Sequence, residues 1–251
     1  PMIEGLEQQR EARIILDLMK DPEAVVQQIE RNKCYTIAVT NSPSVFFYSK
    51  RLSLGTKYTR AALGFHPELV AERYQELPKY LDLLSQTRYI GEIGLDNHQK
   101  SAADFHKQLF VFKKIIAACR ASGDKIITIH SRKAEKDVLQ IIGANFPGKI
   151  ILHWYSGPSN LIDNALSNGY YFSVNMRMLN SKNGRNIIQK LPLDRILLES
   201  DAPFTLSRNQ RYHSILFQEM VAELATLKDF AKDEMFYYLN KNFKKLIEAP
   251  K

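Results

Sequence analysis

The chain alternates short, almost continuously apolar runs with longer segments whose apolar residues recur at the spacing of an amphipathic helix. Strands that are apolar throughout are typical of a parallel sheet covered by helices on both faces. Eight such runs are predicted to be strands, at residues 12–16, 34–40, 58–63, 88–92, 125–130, 149–153, 170–174 and 195–200.

Helical patterns separate these strands. They are predicted at residues 22–31, 67–84, 103–121, 134–146, 159–167, 181–190, 208–227 and 233–247. Asp21 is placed to cap the first helix, because it directly precedes Pro22. Gly123, Gly148 and Gly169 stand before the returning strands, where glycine commonly ends a helix.

Eight alternating strand and helix units predict an α/β fold, the TIM (β/α)8 barrel, as a single domain over residues 1–251. A doubly wound open sheet is the alternative, but no glycine-rich phosphate loop follows the first strand. The segment 1–12 is atypical, because it is polar and prone to form a helix.

The composition bounds the possible partners. The net charge of +8 and the pI of about 9.3 favour a polyanionic partner, most commonly nucleic acid. No apolar stretch approaches the roughly 20 residues that span a bilayer, so no membrane is expected. The segment from Glu4 to Arg13 lacks the apolar core of a signal peptide. Cys34 and Cys119 lie in apolar segments as buried free thiols would, and a cytoplasmic protein is expected.

Five polar signatures lie along the chain, and four of them directly follow apolar runs. Each contributes one residue type that binds metals or moves protons. In a parallel barrel every strand points its carboxyl end at the same opening, so these side chains should converge there. The five residues are His66 in Gly-Phe-His-Pro, Glu92 in Gly-Glu-Ile-Gly-Leu-Asp, His130 in Ile-His-Ser-Arg, His153 in Leu-His-Trp-Tyr-Ser-Gly and Asp201 in Glu-Ser-Asp-Ala-Pro.

Glu92, His130 and His153 are candidate metal ligands. Glutamate is seldom fully buried without a partner, and its two oxygens can bridge two ions about 3.5–4 Å apart, as in two-metal phosphoester hydrolysis. His130 and His153 end adjacent strands, and neutral imidazole commonly binds divalent metals. Taken singly, either histidine could instead be a core residue bonded to the backbone.

Asp201 and His66 are candidate catalytic residues. Asp201 could bind metal or act as general base on a water molecule, and Glu199 is expected to lie behind the ligands in a salt bridge. Because Pro67 begins a helix, His66 should point into the rim. The alternative for His66 is a turn histidine with a structural hydrogen bond.

Substrate contacts are predicted from residues near the rim. Trp154 and Tyr155 could stack on a base or sugar, although packing within the rim explains them equally well. Arg132 and Arg177 could contact phosphates, and the alternative is ordinary solvated surface. His98, His106 and His213 are read as surface or supporting residues.

Taken together, the five signatures resemble those of the TatD family of metal-dependent deoxyribonucleases, in the same order and over nearly the whole chain. The amino-acid sequence around His130 and His153 most resembles that of the QatD group, the TatD-like component of Qat anti-phage defence cassettes. The resemblance implies a barrel of the metal-dependent hydrolase type that cleaves DNA, typically from its 3′ end. It also implies one or two divalent ions per chain: Mg²⁺, Mn²⁺ or Zn²⁺.

The resemblance also assigns roles to residues. It implies that Glu92, His130 and His153 bind metal, that Asp201 binds metal or activates water, and that His66 contacts the scissile phosphate. One departure from the family pattern concerns the first strand, where many members carry a His-x-His pair. Arg13 and Ile15 occupy those positions, and neither can bind a metal ion. Arg13 could supply a fixed positive charge in place of a cation.

Three functions remain open at this point. The first is a nuclease acting on DNA, and the second is another hydrolase on the same site, such as an aminoacyl-tRNA deacylase. The third is a non-catalytic barrel that binds other defence-system proteins. The retained Glu92, His130, His153 and Asp201 favour the nuclease, while the altered first strand favours the non-catalytic barrel.

Overall fold

A computed structural model describes residues 12–206 and 215–248 of the chain. Strands and helices alternate along it, as the sequence predicts. The elements are β1 (Ala12–Ile14), α1 (Pro22–Arg31), β2 (Thr36–Ala38), α2 (Phe46–Leu52), β3 (Thr59–Ala61), α3 (Pro67–Arg73), α4 (Leu77–Leu83), β4 (Tyr89–Gly94), α5 (Ala102–Ser122), β5 (Ile126–His130), α6 (Glu135–Ile142), β6 (Lys149–His153), α7 (Ile162–Ser167), β7 (Tyr171–Val174), α8 (Met176–Leu179), α9 (Lys182–Lys190), β8 (Ile196–Leu198), α10 (Ile215–Lys228) and α11 (Lys232–Ile247).

The eight strands close into a ring. Strands β1 to β3 pair in parallel, and so do β4 to β8. A parallel bridge between Leu63 and Ile90 joins β3 to β4, and another between Ile14 and Ala202 joins β1 to the end of β8. The backbone nitrogen of Ile15 donates to the Ala202 carbonyl at 3.1 Å. The predicted parallel barrel is therefore confirmed.

Successive residues of each strand face opposite sides of the barrel wall. The outward set packs against the helices and includes Ile127, Ile150, Phe172 and Ile196. The inward set packs in the lower barrel with two residues of α11, and comprises Ile126, Ile151, Tyr171, Leu197, Phe243 and Leu246. Helix α11 thus closes the amino-terminal end of the barrel. The inward side chains that come later along the same strands therefore lie nearer the open, carboxyl end of the barrel.

The helical segments differ from the predictions in several places. Helices α2 and α8 were not predicted, because their seven and four residues are too few for a helical period to be recognised. The predicted helix 67–84 is interrupted by a 3-10 turn at Tyr74–Glu76. Pro78 causes this break, because its ring clashes with the carbonyl of Tyr74 four residues earlier and it has no N–H to donate.

Glycines end helices at Gly123 and Gly169, as predicted, and both have positive φ. The prediction was wrong for Gly148, because α6 already ends before it. The C-cap of that helix is Gly143, which has φ +65°. Gly148 instead lets the chain pass the Lys125 carbonyl, where a Cβ atom would overlap. The predicted segment 1–12, apart from its last residue, and the start of the predicted helix 208–227 lie outside the described residues.

Among the described residues, no helix combines the length and the apolar character that crossing a bilayer requires. Cys34 and Cys119 are both buried, and neither forms a disulfide bond, as predicted.

Gly64 approaches the neighbouring strands so closely that no side chain fits. A Cβ atom there would overlap the Thr40 carbonyl oxygen and lie 2.6 Å from the backbone nitrogen of Glu92. We expect Gly64→Ala to lower the free energy of unfolding by about 3 kcal/mol, because overpacking forces the backbone to shift. Urea denaturation followed by circular dichroism measures this loss.

Gly55→Ala is the matched control for that substitution. Gly55 has φ +73°, and a Cβ atom there meets nothing within 4 Å, so only the conformational cost of about 1 kcal/mol applies. Equal losses in the two variants would contradict the packing argument at Gly64.

Candidate metal centre at the barrel mouth

The carboxylate of Glu92 gathers three histidine rings at the open end of the barrel. Its Oε1 atom lies 2.9 Å from His130 Nδ1 and 3.7 Å from both His66 Nε2 and His153 Nε2. Glu92 is only 3% exposed, so these rings replace most of the water that a carboxylate ordinarily contacts. Four of the five predicted site residues therefore meet at one oxygen atom.

Asp201 completes this group. Its Oδ2 lies 3.7 Å from His153 Nε2, and its side chain is buried. The residue follows β8 and has φ +48°, a left-handed conformation that aspartate tolerates better than most residues. The predicted convergence of all five residues at the barrel mouth is thus observed, although the first and the last of them, His66 and Asp201, are 135 residues apart in the chain.

His130 is held from behind by a second carboxylate. Its Nε2 lies 2.8 Å from Asp96 Oδ2, and Asp96 in turn accepts from the backbone nitrogen of His98 at 2.8 Å. Gln108 of α5 accepts from the Asp96 backbone nitrogen at 2.8 Å. His130 therefore lies between two carboxylates, one facing the mouth and one facing the barrel wall.

The charges around His130 change its proton affinity. Burial alone would lower the pKa of His130, but hydrogen bonds with Asp96 and Glu92 overcome burial and raise it to about 9. Burial would likewise raise the pKa of Asp96, but hydrogen bonds from His130 and the His98 backbone hold it below its usual value. A cation bound by His130 would take the place of a proton, because a ligand imidazole must be deprotonated.

His153 is held in the same manner by Glu199. Its Nδ1 lies 2.6 Å from Glu199 Oε2, and the whole pair is buried. The predicted salt-bridge role of Glu199 behind the ligands agrees with this geometry. The two histidines thus present different ring nitrogens to Glu92: His130 uses Nδ1 and His153 uses Nε2.

His66 has both of the roles that the sequence left open: it makes a structural hydrogen bond in its turn, and it points into the rim. Its Nδ1 accepts a hydrogen bond from the backbone nitrogen of Glu68 at 3.3 Å and so caps α3. Because Nδ1 accepts, the proton of the neutral ring sits on Nε2. That N–H faces Glu92, which makes His66 a hydrogen-bond donor at the mouth.

The donor atoms fit a divalent cation. Atoms bound to one ion at about 2.1 Å lie about 3–4 Å from one another, and those of His66, Glu92 and His130 all lie within 4.8 Å. His153 lies 3.7 Å from both Glu92 and Asp201. Since His66 is oriented as a donor, the set best suited to hold a cation is Glu92, His130, His153 and Asp201.

The predicted substrate residues lie in different environments. Tyr155 is 1% exposed, and its hydroxyl donates to the Pro158 carbonyl at 2.7 Å, so it packs inside the rim instead of facing a substrate. Trp154 is half-buried, edge-on to His153 with 6.1 Å between the ring centroids. Arg132 and Arg177 are exposed, and the substrate contacts of these two and of Trp154 stay predictions.

The first strand supplies an apolar residue where other strands supply ligands. Ile15 is buried in a cluster inside the barrel with Ile37, Val39 and Ala62. Arg13 pairs with Ile37 through the backbone of β1, but its side chain lies outside the described part of the structure. Whether its guanidinium replaces a cation therefore stays a prediction.

Sequence reasoning missed several residues that support the ligands. Asp96 closes the Gly-Glu-Ile-Gly-Leu-Asp signature, so its position in that motif was a usable signal. Ser173 of β7 and Asn175 directly after it continue the inward-facing positions from Tyr171, and a period of two from that residue would have found them. Gln108 lies within a long helix and gives no sequence signal.

Comparison with known proteins identifies the family of this chain and agrees with its fold. Residues 14–248 match the model of the family described as TatD related DNase. The chain is 28% identical over 242 residues to the uncharacterized metal-dependent hydrolase YabD of Bacillus subtilis, covering 90% of this chain and 92% of that protein. It is 26% identical over 162 residues to the 3′-5′ ssDNA/RNA exonuclease TatD of Erwinia tasmaniensis, covering 61% of this chain and 62% of that protein.

A solved structure shares the architecture. The TatD homolog YJJV from Escherichia coli superposes with a TM-score of 0.84 at 22% identity, covering 97% of this chain and 99% of that one. At this level of identity the likeness concerns the fold, and it supports the eight-stranded barrel.

The orientation of His66 distinguishes it from His153 in a metal titration. His66→Asn keeps a side chain that can cap α3, so we expect its Kd for Mn²⁺ to stay close to that of the unaltered protein. His153→Asn removes a nitrogen aimed at Glu92 and Asp201, and we expect its Kd to rise by more than about 100-fold. Isothermal titration calorimetry of chelator-stripped protein measures both values.

Thermal unfolding in the same metal-free buffer controls for damage to the fold. A His66→Asn protein that folds normally but has lost Mn²⁺ affinity as severely as His153→Asn would show that His66 is a ligand.

Proposed function

The chain belongs to the family of TatD related DNases and is a metal-dependent hydrolase, and we propose from this premise that it is a nuclease. Its proposed substrate is single-stranded nucleic acid, with DNA preferred, and its reaction is hydrolysis of phosphodiester bonds starting at the 3′ end. The observation that carries the proposal is the buried cluster of Glu92, His153 and Asp201 at the barrel mouth.

The proposed division of labour follows from the contacts. Glu92, His130, His153 and Asp201 would hold the cation, which supplies Lewis-acid activation and lowers the pKa of water. Asp201 lies at the edge of the cluster and would take the proton from the attacking water. The Nε2–H group of His66 would donate a hydrogen bond to a nonbridging oxygen of the scissile phosphate.

Charge supports a polyanionic substrate. The net charge is +8, and Arg132 and Arg177 are exposed on the segments that follow β5 and β7. These segments leave the barrel at its carboxyl end, beside the cluster. The Erwinia tasmaniensis relative is named for exonuclease activity on single-stranded DNA and RNA, which supports the same substrate class here.

The test is hydrolysis of a 5′-labelled single-stranded oligonucleotide by chelator-stripped protein with added Mn²⁺ or Mg²⁺. We expect a ladder that shortens progressively from the 3′ end, and none with excess EDTA. Glu92→Gln keeps the shape of the side chain but removes its charge, and we expect it to lower the rate by more than about 100-fold.

Three controls make this test decisive. An RNA oligonucleotide of the same sequence measures the preference between the two substrates, and a blocked 3′ end must stop the ladder if cleavage starts there. Arg120→Gln, on the outer face of α5 where its guanidinium contacts the Ile142 carbonyl, should leave the rate near that of the unaltered protein. Metal-loaded protein that leaves every oligonucleotide intact would refute the nuclease.

We further propose that this activity serves anti-phage defence, which the similarity of the His130 and His153 signatures to the QatD group supports. The test is phage plating on cells that carry the gene with its natural neighbours. Protection by the unaltered gene and its loss with Glu92→Gln are expected. If plating of phage is unaffected by the unaltered gene, the defence role is wrong.

Ile15 favours a second candidate, a non-catalytic barrel within a protein complex, because it adds an apolar side chain to a cluster with Ile37, Val39 and Ala62 where the family pattern has a histidine. The same plating experiment separates the two. Full protection by Glu92→Gln would favour the non-catalytic barrel over the nuclease.

A further inference from the structure

The carboxylate of Glu199 is bound by three side chains in the barrel interior. The hydroxyl of Ser173 donates to its Oε2 at 2.5 Å, and the amide nitrogen of Asn175 donates to its Oε1 at 3.0 Å. His153 Nδ1 lies 2.6 Å from Oε2. Glu199 and Asn175 have no exposed surface, so water does not compete for these bonds.

The direction of these bonds fixes the proton on His153. The Asn175 amide donates to Glu199 Oε1 and the Ser173 hydroxyl donates to Oε2, so both oxygens of the carboxylate act as acceptors. His153 Nδ1 is then a donor to Glu199, and the neutral ring carries its proton there. Nε2 is left with its lone pair, and this is the atom that lies 3.7 Å from both Glu92 and Asp201.

Asn175 also makes a second bond, to a different part of the molecule. Its side-chain oxygen accepts from the backbone nitrogen of Met178 at 3.0 Å and so caps α8. Helix α8 carries the exposed Arg177. One buried amide therefore joins the start of a rim helix to the carboxylate that holds a ligand histidine.

We propose that Asn175 is a positioning residue of the metal centre. Its amide N–H group orients Glu199, which keeps the His153 proton on Nδ1, and its oxygen fixes α8 in the same step. Asn175 then contributes both to the orientation of a candidate metal ligand and to the position of Arg177. The proposal rests on the proposed function only in requiring that a cation binds at His153.

The simpler role for Asn175 is helix capping alone, and two variants separate the roles. Asn175→Asp has nearly the same shape and keeps an oxygen for Met178, but it has no N–H to offer Glu199. Asn175→Ser keeps a capping hydroxyl on a side chain too short to span to Glu199. If Asn175 only caps the helix, both variants should behave like the unaltered protein.

Ser181→Ala is the matched control. Ser181 caps α9 on the same connection, with its hydroxyl accepting from the Gly184 backbone nitrogen at 3.0 Å and donating to the Met178 carbonyl at 3.3 Å. Its loss loosens the end of α8 and the start of α9 without touching Glu199. Any effect of general loosening should therefore appear in this variant as well.

The experiment measures the Kd for Mn²⁺ by calorimetry on chelator-stripped protein, without nucleic acid, and checks folding by thermal unfolding. We expect Asn175→Asp and Asn175→Ser to raise the Kd by about 10- to 100-fold, and Ser181→Ala to leave it unchanged. Nitrogen-15 NMR of labelled histidines should show the Nδ1–H tautomer of His153 in the unaltered protein and its loss in both Asn175 variants.

A folded Asn175→Asp or Asn175→Ser protein with an unchanged Kd and an unchanged His153 tautomer would overturn the proposal. An equal rise in Kd for Ser181→Ala would also overturn it, since loosening alone would then explain the effect. Because no nucleic acid is present, absence of nuclease activity would refute the proposed function without affecting this result.

Discussion

Moving a carboxylate out of water costs several kcal/mol unless nearby groups compensate for its charge, and Glu92 is 3% exposed. The architecture of the mouth follows from meeting this cost. Three histidine rings approach one oxygen of Glu92. Hydrogen bonds with Asp96 and Glu92 outweigh burial and raise the pKa of the His130 ring to about 9, so a positive charge is favoured beside these carboxylates. A divalent ion would meet the same requirement more fully.

The histidines in turn need fixed orientations, and the barrel supplies them through residues that share its inward faces. His153 and Glu199 lie on strands separated by β7, and Ser173 of β7 donates to Glu199 between them. His130 has its own carboxylate, Asp96, from the neighbouring strand segment. Each of these two histidines is therefore oriented by a carboxylate from another strand of the barrel, so their orientation depends on the same backbone pairing that closes the barrel.

The sequence predicted the eight strands and the five clustered residues because both depend on local signals: apolar runs, and polar residues at their ends. It could not predict hydrogen-bond direction. The donor role of His66 depends on the backbone nitrogen of Glu68, and the role of Asn175 depends on Glu199, 24 residues later. Tyr155 shows the opposite error, because an aromatic residue beside a ligand resembles a stacking platform until its burial is known.

The donors are distributed unequally around the barrel, and this bears on the altered first strand. The apolar cluster around Ile15 spans β1 to β3, whereas Glu92 and the groups that orient His130 and His153 come from β4 to β8 and the segments that follow them. Replacing a polar residue on β1 therefore breaks none of the observed contacts around these two ligands. An apolar β1 is therefore compatible with the observed support of His130 and His153, while the bridge between Ile14 and Ala202 still closes the ring beside Asp201.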